Sequence, residues 1–250
     1  MSRLTRKLKD LLLYKILKKD RIAYFQTSIG NYYLPIDVSG DAIINEMKEG
    51  RIFEPEIIEI AKKFITKGST VLDIGANLGQ MTLLFSEMVG NKGKVYSFEA
   101  DNYIHNILNK NIGANNRNNI ISICKAVYDN DGSTMFYPIQ DFERFAAYGS
   151  YGIDPKANKG RSVKTITIDS LDIQSPISFM KVDVQGSDIF AMRGAIKTIN
   201  KHKMPIIFEY EEQFQNEFNT SFEDYSNFIE SINYKIEDII NDINYLTLPN

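Results

Sequence analysis

The chain has 250 residues, 43% of them hydrophobic and 24% charged, enough for one large α/β domain. A net charge of −3 argues against a nucleic-acid binder, a single cysteine (Cys124) excludes an internal disulfide framework and suits a reducing cytoplasm, and two histidines exclude a His-rich metal site. No run of about 18 apolar residues is present, so no membrane span is expected.

Residues 1–21 carry eight Lys/Arg against two Asp, and Leu4, Leu8, Leu11 and Leu12 share one helical face. The expected element is a basic amphipathic helix, packed on the domain or resting on an anionic membrane surface. Its apolar run, Leu11-Leu12-Leu13-Tyr14, is too short and too interrupted by lysine for a signal peptide. Residues 22–38 alternate around Ser28-Ile29-Gly30-Asn31 as a small β-hairpin does, and 22–55 is expected to form an extension on the substrate side. The main domain then runs over 56–250. A helix starts near Pro55, keeps Ile57, Ile60, Ala61, Phe64 and Ile65 on one face, and closes at Gly68.

From residue 69 strand, turn and helix repeat. Strands are predicted at 70–74, 94–98, 120–124, 179–184 and 205–210. Between them lie helices carrying Met81, Leu84, Phe85 and Met88, then Ile104, Ile107, Leu108 and Ile112, then Ile189, Met192, Ile196 and Ile199. A last helix carries Phe222, Tyr225, Ile229 and Ile232, followed by a hairpin of 234–239 and 243–248. This order predicts an α/β Rossmann-like sheet, mostly parallel, with helices on both faces and an antiparallel C-terminal hairpin. The stretch 136–165 breaks the rhythm with aromatic and glycine residues and reads as a long lid or substrate loop. Cys124 sits in an apolar run and reads as buried packing.

Three segments carry chemistry. Asp73 ends an apolar strand, and Gly75-Ala76-Asn77-Leu78-Gly79 turns into a helix with residues small enough for close backbone approach to a ligand. An acid followed by G-x-x-x-G suits a cofactor with a free ammonium and no phosphate better than a dinucleotide, which favours S-adenosylmethionine (SAM) over NAD. Glu99 ends the second strand 26 residues later, where a carboxylate can accept hydrogen bonds from both ribose hydroxyls, and Ala100 is small enough to lie against adenine. Asp183 ends the fourth strand within Met180-Lys181-Val182-Asp183-Val184-Gln185-Gly186 and faces the same crevice. Three roles stay open for it: holding the SAM ammonium, binding a divalent metal, or helping to deprotonate a substrate hydroxyl. Glu209, on the neighbouring strand end, can share a metal or a proton with it, or form a simple surface pair. His105 reads as a partly buried structural residue and His202 as a helix-end residue.

VLDIGANLGQ (71–80), VYSFEAD (95–101), KAVYDNDG (125–132), MKVDVQGSDIFAMRGA (180–195), PIIFEYE (205–211) and NYLTLP (244–249) together resemble the FkbM family of methyltransferases, across residues 50–249. The resemblance implies a class I SAM-dependent fold and O-methylation of hydroxyls on sugars, glycans, nucleotide sugars or other natural-product scaffolds. It also implies that Asp73, Gly75, Asn77, Gly79 and Glu99 contact the cofactor, with Ala126 or Val127 near the adenine edge; from their positions at the strand ends, Ala76, Ala100 and Asp183 are expected beside it as well. Asp183 and Glu209 are the expected catalytic acids. One position departs: where the family pattern has Glu in K-x-D-V-E-G, this chain has Gln185. If that Glu accepts the proton or binds a metal, Asp183 carries the role alone or the base lies elsewhere. The other classes considered are an NAD-dependent oxidoreductase and a non-catalytic SAM-binding protein. The expected partner is a small-molecule or glycan hydroxyl acceptor rather than nucleic acid, met in the cytoplasm or at the inner membrane surface.

Overall fold

The computed structural model describes residues 22–36, 40–137, 148–150 and 152–250. The expected basic helix over 1–21 lies outside them. A seven-stranded sheet forms the centre. Its strands are β3 (Thr70–Ile74), β4 (Lys94–Phe98), β5 (Ile120–Ile123), β9 (Ile177–Val182), β10 (Ile206–Glu209), β11 (Tyr234–Ile240) and β12 (Asn244–Pro249), in the order β11-β12-β10-β9-β3-β4-β5. The five strands from β10 to β5 run parallel, while β12 is antiparallel to both of its neighbours. The expected α/β sheet and its antiparallel hairpin are therefore present. Spacing foresaw the hairpin but not that its second strand inserts beside β10.

The sheet is covered on both faces, so every residue of β3 is buried. Leu72 and Ile74 face one layer with Met180, Val182, Ile206 and Phe208, packed against Ile189, Met192, Tyr225 and Ile229. Val71 faces the other, with Phe179, Val95 and Ile207 against Ile57, Ala61, Phe85 and Val89. Three helices supply most of those partners: α2 (Pro55–Phe64), α3 (Gln80–Val89) and α8 (Phe222–Ser231). Ser221 opens α8 with a reciprocal capping box to Asp224.

The predicted hairpin is β1 (Ile22–Thr27) with β2 (Gly30–Pro35). It packs on α4 (Asn102–Ala114): Asn111 Oδ1 accepts from the Tyr33 amide at 2.6 Å, and Asn115 Oδ1 accepts from the Asn31 amide at 2.9 Å. A helix not foreseen, α1 (Ala42–Lys48), follows and buries Ile44 and Met47 in the same cluster. Its seven residues are too few for a clear period.

Two further expectations need correcting. The long loop at 136–165 is partly sheet: β7 (Thr134–Tyr137) and β8 (Arg161–Ile166) pair antiparallel, and β6 (Ala126–Val127) joins β8 in parallel. The helix expected across 189–199 is two, α5 (Asp188–Arg193) and α6 (Ile196–His202). The break falls at Gly194, where a Cβ would lie 2.0 Å from the Tyr128 carbonyl oxygen. A short helix, α7 (Gln215–Phe218), completes the inventory of described helices. Cys124 is half-buried just past β5 rather than sealed in the core. Among the described residues no helix is long and apolar enough to cross a membrane.

Candidate active site

The chain runs outward from β3 to β4 and β5, then crosses to β9 on the other side of β3. The gap between the carboxyl ends of β3 and β9 is thus the topological switch point, where open parallel sheets bind ligands. There Gly75 approaches the β9 end so closely that a Cβ would stand 1.8 Å from the Asp183 carbonyl oxygen, and its φ is +84°. Glycine is required on both counts. Gly75 and Ala76 each donate to the Phe98 carbonyl at 2.9 Å, which draws the loop onto β4. Gly79 (φ +91°) opens α3 against Leu108, whose Cδ1 would be 2.4 Å from a Cβ.

Asn77 takes φ +49° and donates its backbone amide to Glu99 Oε2 at 2.9 Å. The Asp101 amide donates to Glu99 Oε1 at 2.8 Å. Both carboxyl oxygens keep a lone pair free for a further donor. Burial pushes the Glu99 carboxyl up to about 7, against these two amide bonds.

A cavity of about 250 Å³ opens above these strand ends, walled by Gly75, Asn77, Glu99, Ala100, Ala126, Val127, Asp183 and Glu209. A second, of about 50 Å³, is walled by the whole run Gly75–Met81 with Lys181, and shares Glu54, Phe53, Ile43 and Asp183 with the first. Of the predicted site residues, Gly75, Asn77, Glu99, Ala100, Ala126, Asp183 and Glu209 line the first cavity, Ala76 and Gly79 only the second, and Asp73 neither. Asp73 lies beneath them, fully buried, with Thr82 donating to its Oδ2. Burial raises its carboxyl, and the Lys181 ammonium works the other way.

The floor at the β9 and β10 ends is a charged network. Lys181, its side chain 4% exposed, reaches Asp183 Oδ2 at 2.8 Å, while the Asp183 side chain is 26% exposed toward the cavity. Gln185 Nε2 donates to Asp183 Oδ1 at 3.2 Å and to Glu209 Oε2 at 2.8 Å. Burial works against charge on Asp183, but Lys181, Gln185 and a hydrogen bond from Glu209 outweigh it and hold the carboxyl below its ordinary range. Glu209 goes the other way, raised well above its usual value by burial and by Asp183, Asp188 and Glu211. The surroundings thus push the two carboxyls apart, Asp183 toward the charged form and Glu209 toward the neutral one.

Two participants were missed in the sequence. Lys181 sits inside a strand, where a lysine gives no sign of being buried. Glu54 directly precedes Pro55, and φ +52° turns it into the cavity, where Asn244 Nδ2 donates to it at 3.0 Å. The roof comes from Asp41, which caps α1 through the Ile44 amide at 3.0 Å and accepts from the Tyr148 amide at 2.9 Å. Both histidines stay outside the cavity walls: His105 bonds Ser122 Oγ at 2.8 Å, and His202 at the end of α6 meets the Ile173 carbonyl at 3.2 Å.

Asp73 Oδ1 and Asn77 Oδ1 are buried acceptors without a partner, beside an acid-rich floor. The Asn77 oxygen lines both cavities and fits a ligand that brings a hydrogen-bond donor, as SAM does, whereas Asp73 lines neither. Among the described residues, no group of three His, Cys, Asp or Glu is placed to hold a metal ion.

No protein of curated function matches the chain. Solved structures of similar fold include an rRNA methylase from Clostridium thermocellum (13% identity, TM-score 0.49, covering 77% of this chain and 93% of that one). A methyltransferase FkbM from Methylobacillus flagellatus KT is 19% identical at TM-score 0.46, covering 72% of this chain and 42% of that one. SMU.1697c from Streptococcus mutans, a methyltransferase in complex with SAH, is 13% identical at TM-score 0.45, covering 78% and 97%. The methyltransferase FkbM domain itself matches residues 73–236, well over half of the sequence. That match sets aside the oxidoreductase alternative, and the chain belongs to the FkbM family of SAM-dependent methyltransferases.

Proposed function

We propose that the protein transfers a methyl group to a hydroxyl oxygen of a sugar or glycan, with Asp183 accepting the hydroxyl proton. The observation that carries this reading is the cavity-facing Asp183 carboxyl, fixed by Lys181 and Gln185 at the edge of the space that Glu99 also lines. A hydroxyl is too weak an acid to attack unaided, so a carboxylate within reach must take its proton as the new bond forms. SAM, when bound, supplies an electrophilic methyl group.

The chain's own residues do the rest. Glu99 offers paired acceptors for ribose hydroxyls, and the unpartnered Asn77 oxygen, with Glu54, favours an ammonium. Asp41, Tyr148 and Phe53 wall the cavity above and limit water access. Glu54, Glu209 and Glu211 make the walls rich in acceptors, which suits a ligand carrying several hydroxyl donors and disfavours a polyanion such as nucleic acid. Alignment of acceptor oxygen and methyl group supplies most of the rate.

Labelled-methyl transfer from SAM to a panel of free sugars, nucleotide sugars and oligosaccharides tests the reading. Incorporation into a sugar hydroxyl is expected. Transfer only to carboxylates, amines or RNA would contradict it. The basic segment 1–21 suggests that the reaction takes place against an anionic membrane surface. Sedimentation with anionic vesicles should then fall when residues 1–21 are deleted, and unchanged sedimentation would remove that part.

A further inference from the structure

Gln185 spends both of its amide N–H bonds on carboxyl groups from neighbouring strand ends, Asp183 Oδ1 at 3.2 Å and Glu209 Oε2 at 2.8 Å. It does so from a backbone conformation with φ +52°, which a residue with a side chain adopts only when its surroundings impose it. Those surroundings are specific. Asp188 fastens the turn by accepting from the Val184 amide at 3.3 Å and the Gly186 amide at 3.2 Å. Gly186 follows at φ +90° against Phe214, and Gly152 crosses so near that its Cβ would stand 2.9 Å from the Gln185 carbonyl oxygen.

A carboxylate at this position would have no proton to give either neighbour and would add a further negative charge beside Asp183. Asp183 is already faced by acids from every side: Glu209 and Glu211 at the end of β10, Glu54 before α2, Asp73 on β3, Asp188 on α5 and Glu99 at the end of β4. Against them stand Lys181 on one carboxyl oxygen, the Gln185 amide on the other, and a hydrogen bond from Glu209 itself.

We propose that Gln185 is a positioning residue for methyl transfer, its side-chain amide bridging the Asp183 and Glu209 carboxyls and fixing the orientation of Asp183. This rests on Asp183 as the proton acceptor, and it gives the departure at position 185 a purpose: the amide divides two adjacent acids into a base and a spectator. Asp183 takes the hydroxyl proton as the oxygen–methyl bond forms and the carbon–sulfur bond breaks, so charge and protons balance without a further reactant.

The test is a carboxyl ¹³C titration of the full chain with saturating S-adenosylhomocysteine, the Asp183 resonance being assigned by its loss in Asp183→Asn. In Gln185→Ala the Asp183 titration should move to higher pH, and in Gln185→Glu further still. Gln185→Asn keeps a residue type that tolerates positive φ but shortens the reach, so it should behave as the alanine variant while folding normally. With any acceptor that responds, turnover should fall about 10- to 100-fold, SAM affinity should hold, and the acidic limb of the rate profile should move with the resonance. An unmoved titration in all three variants would overturn the proposal, as would lost turnover with the limb in place. Full turnover in Asp183→Asn would instead defeat the proton-acceptor reading, whatever the Gln185 variants show.

Discussion

The glycine loop at the end of β3 and the acid pair at the ends of β9 and β10 face each other across one gap, yet different forces hold them. The loop is shaped by backbone: Gly75 fits because nothing larger can pass the Asp183 carbonyl, and Asn77 is tied by its main-chain amide to Glu99. The floor is shaped by side chains at the ends of β9 and β10, with Lys181 buried among carboxyl groups and Gln185 bridging two of them. A backbone cradle tolerates no added atom but is insensitive to charge. A charged floor tolerates some change of shape but depends on every proton in it.

Substitutions in each half should therefore fail in different ways. The largest effect belongs to Asp183→Asn, which should cut turnover about 10²- to 10⁴-fold while calorimetry finds SAM affinity within a few-fold of the parent. Turnover near that of the parent would dissolve the distinction between the halves. Gly75→Ala should act on the fold, costing about 2–5 kcal/mol from backbone strain and the clash with Asp183, read by chemical denaturation. A loss of activity at unchanged stability would show that the cradle is less tightly closed than the 1.8 Å approach requires.

Glu99 belongs to both halves, since backbone amides hold a titrating group. Glu99→Ala should weaken SAM about 10- to 100-fold through lost charged hydrogen bonds, with stability altered far less than in Gly75→Ala. Its pH dependence has a definite sign. The folded carboxyl sits at about 7 against 4.5 unfolded. The folded state therefore binds the proton more tightly, and Glu99 costs stability progressively as pH rises from about 4.5 to about 7. Denaturation of the free protein at pH values spanning that window should show a shallower decline in Glu99→Gln, and parallel curves would assign the slope elsewhere. The smallest effect is expected at His105, bonded to Ser122 away from the cavity. His105→Ala should cost about 0.5–1.5 kcal/mol of stability and leave turnover unchanged.

The two halves also differed in how far the sequence revealed them. Asp73, the glycines and Glu99 stood out because a strand end followed by small residues is a local pattern, and local patterns survive in one dimension. The strands themselves were found within a few residues because their apolar runs are buried on both faces. Lys181 and Glu54 left no such mark: one is a lysine in a strand, the other an acid before a proline, and only packing makes them neighbours of Asp183. Gln185 was noticed as a departure, but its two bonds depend on Glu209 arriving 24 residues later. The short α1, the break at Gly194 and the β7–β8 pair within an aromatic stretch were missed because tertiary contacts decide them.

The central claim is that one cofactor spans both halves, its ribose on Glu99 and its sulfur turned toward Asp183. A crystal structure of the full chain with S-adenosylhomocysteine tests this directly. Both ribose hydroxyls should lie within hydrogen-bond distance of Glu99, the ammonium near Asn77 and Glu54, and the sulfur facing the Asp183–Gln185–Glu209 group. A ribose bound away from Glu99, or a sulfur turned from Asp183, would contradict the claim.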